Sequence, residues 1–173
     1  FGVVSHGALR VGGVAVSSSE VRRRIAAGEM AMAAAMLGRA YSLLSPTAPG
    51  RGVGIKLAAP TINLAPYPEL LPPNGVYVTQ LRIGDGEAAP LLNAVSNVGV
   101  RPTFADAGFA IESHLLEGPP VDLTESTPLE LCFLERLREE RRFPTAEALK
   151  EQIRQDVEQA QQYFRRIAAT APT

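Results

Sequence analysis

Pro60-Thr61-Ile62-Asn63 sets a hydroxyl and an amide oxygen two residues apart behind a proline. On an extended segment, positions 61 and 63 point to one side. Both oxygens can then meet one Mg²⁺ alongside phosphate oxygens, and neutral ligands suit a metal already held by a nucleotide. The plainer alternative is that both bond nearby backbone, as short polar side chains beside a proline often do. Just upstream, Gly50-Arg51-Gly52-Val53-Gly54 followed by Lys56 puts small residues at alternate positions. There, successive backbone N–H groups can turn toward an anion without obstruction. It is not a Walker A loop, because the proline-rich stretch that follows leaves no helix to start at Lys56; a surface turn is the ordinary reading of such a run.

Ile111-Glu112-Ser113-His114-Leu115 alternates so that Glu112 and His114 share a face. A carboxylate on a strand can take a proton from a hydroxyl during phosphoryl transfer. The alternatives are a solvated strand face for Glu112 and a structural histidine for His114. Asn97-Val98-Gly99-Val100-Arg101-Pro102-Thr103-Phe104 combines a hinge-capable glycine, a cation and an aromatic, and reads as a loop able to close over a flat or anionic ligand. The charge run Glu135 to Arg142 reads as a solvated helical face.

Elements of two kinds must carry these residues. Ser17 and Glu20 stand at capping-box spacing, predicting a short helix from there to about Gly28; a second, Met/Ala-rich helix from Glu29 ends at Gly38. Its methionines read as packing rather than as a cofactor site. Prolines then punctuate the chain from Pro46 to Pro73, leaving loops and short strands. Gly75 to Ile83 alternates, with Tyr77, Thr79, Leu81 and Ile83 on one face, and enters a hairpin at Gly84-Asp85-Gly86. Leu91 to Ser96, Ala110 to Leu116 and Leu129 to Phe133 read as further strands, predicting a small antiparallel barrel. The tail is predicted helical: a charged piece over Leu134 to Arg142, a break at Pro144, then a longer helix capped by Thr145. Its stripe of Leu149, Ile153, Val157, Ala160, Phe164 and Ile167 should dock on the barrel.

Composition narrows the function. The 173 residues are 46% hydrophobic and 20% charged, enough for one sizeable core. With 17 Lys and Arg against 18 Asp and Glu the net charge is −1, so there is no basic field for a nucleic acid. A single cysteine, Cys132, and two histidines, His6 and His114, exclude an internal disulfide and a Cys/His zinc site, and fit a reducing, cytoplasmic setting. No uncharged apolar run reaches membrane-spanning length. Phe1 is not an initiator methionine, so the chain is expected to be a piece of something longer.

In order, these segments resemble the riboflavin kinase module of bacterial bifunctional FAD synthetases, over about Gly38 to Phe164. The likeness rests on Gly38-Arg39-Ala40-Tyr41-Ser42, the glycine loop, Pro60-Thr61-Ile62-Asn63, Gly75-Val76-Tyr77, Asn97 to Phe104, Ile111 to Leu116, and Phe133 to Phe143. Val16-Ser17-Ser18-Ser19-Glu20-Val21-Arg22-Arg23 is similar to the Ser-Ser-x-x-x-Arg motif closing the adenylyltransferase domain of those enzymes. Residues 1–37 would then be the helical remnant of that domain, and residues 38–173 the kinase domain.

The resemblance implies a six-stranded antiparallel split barrel with carboxy-terminal helices. It also implies transfer of the ATP γ-phosphate to the 5′-hydroxyl of riboflavin, giving FMN and ADP, with Mg²⁺ accompanying ATP. Glu112 would be the base, and Thr61 and Asn63 would contact the metal and phosphates. Gly50, Gly52, Gly54, Lys56 and Pro60 would complete the ATP site. Arg101 and Phe104 would form a flavin-side flap, with Arg138, Arg141 and their helix bordering the ring. In the remnant, Ser17, Ser18 and Arg22 would correspond to phosphate-holding residues of the adenylyltransferase. Expected partners are small molecules, riboflavin and ATP, with no nucleic acid and no membrane; any oligomer would form through the parent enzyme.

The chain departs from the family at Ala58-Ala59, where Gly-Phe is usual, and at Ser45-Pro46-Thr47-Ala48-Pro49-Gly50, whose prolines remove donors from a strand that should be paired. Both bear on the nucleotide side. Two other readings therefore stand beside an active kinase: a flavin-binding module with impaired ATP use, and a barrel used for protein contact.

Overall fold

A computed structural model describes residues 1–4, 7–48, 61–65, 70–86, 89–100, 109–117, 123–124 and 127–170. The glycine loop with Lys56 and Pro60, and the segment carrying Arg101 and Phe104, lie outside the described residues.

A two-stranded ribbon opens the chain, β1 (Arg10–Val11) pairing with β2 (Val14–Ala15) around Gly12 and Gly13. Both glycines have positive φ, 56° and 79°, which a two-residue hairpin turn of this hand requires. Helix α1 (Ser18–Ala26) follows, and the Glu20 N–H donates to Ser17 Oγ at 3.2 Å, as an N-cap should. The Glu20 carboxylate does not reach back to close a capping box. It pairs instead with Arg23 and Arg24, whose hydrogen bonds hold its pKa down at about 2. Helix α2 (Met30–Leu37) ends at Gly38 in the left-handed conformation. It buries Met30, Ala33 and Met36 against the barrel's core, so its methionines are packing groups.

Six strands form a closed antiparallel barrel in the order β3-β4-β7-β6-β5-β8: β3 (Tyr41–Ala48), β4 (Thr61–Leu64), β5 (Gly75–Ile83), β6 (Leu91–Val100), β7 (Phe109–Leu115) and β8 (Pro128–Glu139). Alternation sends Leu43, Ile62, Leu64, Tyr77, Leu81, Val98, Ile111, Leu131 and Phe133 inward. The Tyr77 ring meets Phe133 edge-on at 5.3 Å. Inside this apolar core, hydroxyls bridge three strands: Thr79 to Ser96 and Ser96 to Ser113, each at 2.7 Å. Mutual bonding satisfies groups that would be costly to bury alone.

Three sequence expectations are corrected. Leu134 to Arg142 is not helical, because β8 continues to Glu139 along β5, with register shifts at Val76/Tyr77 and Val78/Thr79. The charge spacing imitates a helical face, but pairing with β5 satisfies the backbone, and the shifts let Leu134 and Leu137 both pack beneath the final helix. One carboxy-terminal helix, α3 (Ala146–Thr170), remains, capped by Thr145 Oγ1 at 3.1 Å from the Ala148 N–H. Second, Asn97 to Val100 belong to β6 rather than to a hinge loop. Gly99 pairs with Ala110, and the exposed Glu140 carboxylate lies over it: a Cβ there would stand 2.6 Å from Oε1, so a larger residue would push that flexible side chain aside. Third, Pro46 sits within a paired strand. It faces Pro128, where neither residue has an N–H to lose, and its carbonyl accepts from the Ala65 N–H at 3.0 Å.

A candidate substrate cleft between the barrel wall and the last helix

Thr61, Asn63, Glu112 and His114 all point away from the barrel interior, because their strand neighbours Ile62, Leu64, Ile111, Ser113 and Leu115 fill it. Strand register then aligns them. Asn63 pairs with Glu112, Glu112 with Asn97, Asn97 with Val76, and Val76 with Arg138. The neighbouring row runs Thr61, His114, Val95, Val78. Glu112 and Arg138 thus stand three strand spacings apart on one row, roughly 14 Å along the wall at about 4.8 Å per spacing.

Helix α3 lies across this wall. Its second half closes on it through Ala160 and Phe164, packed with Val76, Val78 and Val95. Its first half stands away, leaving a cavity of about 710 Å³. The cavity is polar at one end, with Thr61, Asn97, Glu112 and His114, and apolar in the middle, between Val76 and Val95 of the wall and Leu149, Ile153 and Val157 of the helix. Arg138, Arg141 and Phe143 line the other end. Burial pushes the half-buried His114 imidazole below its ordinary pKa, which favours its neutral form.

The cationic end is tied to α3. Asp156 Oδ1 and Oδ2 accept from Arg138 Nε and Nη2 at 2.9 and 2.7 Å. Gln152 Nε2 donates to Asp156 Oδ1 at 2.9 Å, and its Oε1 accepts from Arg141. Both guanidiniums lie against the Phe143 ring, at 4.9 Å for Arg141 and 5.7 Å for Arg138.

Of the residues singled out from sequence, the fold brings Thr61, Glu112, His114, Arg138 and Arg141 to one cavity, with Asn63 beside Glu112 on the same wall. Arg138 is on a strand and Arg141 in the non-helical segment after it, not on a helix. Ser17 serves as the α1 cap; with Ser18 and Arg22 it lies in or beside α1 and does not line this cavity. Asn97, expected to open a ligand-closing loop, instead lines the cavity from β6, and Gln152 and Asp156 went unrecognised as site residues. The only sequence signal of Gln152 and Asp156 was their spacing as a polar pair at i, i+4 beside the apolar stripe.

The class is thus a closed six-stranded antiparallel barrel with a helix across one wall and, between them, a cleft graded from polar to apolar to cationic. Residues 37–164 match the family model described as Flavokinase: Riboflavin kinase, and the chain belongs to that family. The bifunctional riboflavin kinase/FMN adenylyltransferase of Pseudomonas fluorescens is 37% identical over 150 residues, covering 86% of this chain and 46% of that protein. The protein of the same name from Escherichia coli K12 is 31% identical over 164 residues, covering 95% and 51%. The chain therefore spans about half the length of the curated relatives it matches. Among solved structures, riboflavin kinase from Trypanosoma brucei superposes with a TM-score of 0.55 at 16% identity, over 72% of this chain and 79% of that one. A macrolide-efflux protein from Streptococcus pneumoniae does so with a TM-score of 0.77 at 22% identity, over 89% and 49%. These two likenesses concern the fold alone. Among the described residues, no helix is long and apolar enough to cross a membrane.

Proposed function

We propose that the chain is a riboflavin kinase, transferring the γ-phosphate of ATP to the riboflavin 5′-hydroxyl to give FMN and ADP. The observation that carries this reading is the single row joining Glu112 to Arg138 beneath one cavity with an apolar middle. In this reading a flat tricyclic ring lies between Val76 and Val95 on one side and Ile153 and Val157 on the other, its polar edge at Arg138. Its five-carbon chain then reaches back toward Glu112. The hydroxyl oxygen attacks the γ-phosphorus, the bond from that phosphorus to the β,γ-bridging oxygen breaks, ADP leaves, and the hydroxyl proton passes to Glu112.

Thr61 and Asn63 offer neutral oxygens next to one carboxylate. No group of three or more His, Cys, Asp or Glu that could hold a metal occurs among the described residues. That donor set fits a Mg²⁺ arriving with nucleotide phosphates, which would neutralise charge on the transferred group. Gly50, Gly52, Gly54, Lys56 and Pro60 on the nucleotide side, and Arg101 and Phe104 as the flap, belong to the same proposal. So does the division of the chain at residues 37 and 38, with Ser17, Ser18 and Arg22 belonging to an adenylyltransferase part. Incubation with riboflavin, ATP and Mg²⁺ should yield FMN by chromatography; riboflavin that binds and is never converted would sink the kinase reading.

A further inference from the structure

We infer that Asp156 and Gln152 are positioning residues that set the affinity for the flavin ring, by holding Arg138, Arg141 and Phe143 in place at the cationic end of the cleft. The inference rests on the riboflavin reading above. It starts from an oddity of α3: the helix face turned to the barrel should be apolar, yet Asp156 is 3% exposed and Gln152 8%. A buried carboxylate is costly unless paired and fully hydrogen-bonded. Here it accepts both prongs of Arg138 and a third bond from Gln152.

The arrangement leaves Arg138 little freedom. Its Nη1 donates to the Glu139 carbonyl at 2.9 Å while Nε and Nη2 face Asp156, so the guanidinium plane is fixed on three sides. Among the described residues, its remaining N–H groups have no partner, and the side chain lines the cavity. Asp156 also cancels the Arg138 charge. What this pair offers a ligand is therefore directed N–H donors without a net cation, suited to carbonyl oxygens on the edge of a neutral heteroaromatic ring and poorly suited to a phosphate. Arg141 is exposed two residues past the end of β8; it donates to Gln152 Oε1 while its guanidinium lies over Phe143. A ring edge gripped here points the rest of the substrate toward Glu112.

The experiment titrates riboflavin by fluorescence quenching and measures kinetics for wild type, Asp156→Asn, Gln152→Leu and the double variant Arg138→Met/Asp156→Leu. The double variant replaces the ion pair by apolar groups of similar volume, so it keeps the fold while removing the grip. Asp156→Asn and the double variant should raise the riboflavin Kd and KM about tenfold or more, with the KM for ATP unchanged. Gln152→Leu should raise them less. If the double variant melts like wild type and still binds riboflavin like wild type, the pair is merely structural and the inference fails. Equal rises in KM for riboflavin and ATP would also overturn it. Wild-type protein that neither binds nor phosphorylates riboflavin would instead defeat the reading on which the inference rests.

Discussion

The two halves of α3 treat the same barrel wall in opposite ways. From Ala160 onward the helix buries Ala160 and Phe164 against Val76, Val78 and Val95, an ordinary apolar contact. Before Ala160 the buried residues are Gln152 and Asp156, while Leu149, Ile153 and Val157 face the open cavity and Leu149 is 39% exposed. Apolar side chains left half-covered in this way contribute little to folding, since they still contact solvent. Packing and cavity lining are thus divided along one helix: the second half anchors it, and the first holds a polar frame around an apolar slot.

That division can be broken experimentally, beginning where the effect is largest. Phe164→Ala should cost about 3–4 kcal/mol of unfolding free energy in a urea titration, because it empties the closed half. A loss below about 1 kcal/mol would mean that the first half anchors the helix. Glu112→Gln, on the wall facing the open half, should lower kcat at least about a hundredfold, equivalent to about 2.7 kcal/mol. Riboflavin binding should be unchanged, and an equal loss of both would assign Glu112 a structural part. Ile153→Ala should cost under about 1 kcal/mol of stability, because the side chain borders a cavity, yet weaken riboflavin binding several-fold. Matching losses in stability and binding would erase the distinction between the halves.

The smallest expected effect is a pH dependence from His114 under the open half. Its folded pKa lies below the ordinary 6.5, so as pH falls below that value the unfolded chain takes up a proton that the folded chain resists. Stability should be flat from this group above pH 6.5 and decline below it. Thermal melts of His114→Gln should show a shallower acid decline than wild type; identical slopes would trace the decline to other groups.

Much of the fold was legible because it is written in local periods. The alternation of Gly75 to Ile83, the Ser17 and Thr145 caps and the Gly38 stop each need only neighbouring residues to act. The α3 stripe was legible only in part: Ala160 and Phe164 dock, whereas Leu149, Ile153 and Val157 border the cavity and Ile167 is exposed. Thr61, Asn63 and Glu112 were also readable as one chemical set, since short motifs carry their residue types in full. What local reasoning misread was the stretch from Leu134, where charges at helical spacing masked a strand whose conformation is set by β5, more than fifty residues earlier.

The sequence by itself determined which side chains could take a proton, meet a metal or cap a helix, because those properties belong to residue types and short spacings. Only the tertiary structure decided that Glu112 and Arg138 share a row, and that α3 closes over one part of the wall and opens over another. It alone showed Asp156 to be the partner of Arg138. Those facts depend on strand register and on a helix packed across the barrel, and both are settled by contacts between residues far apart in the chain.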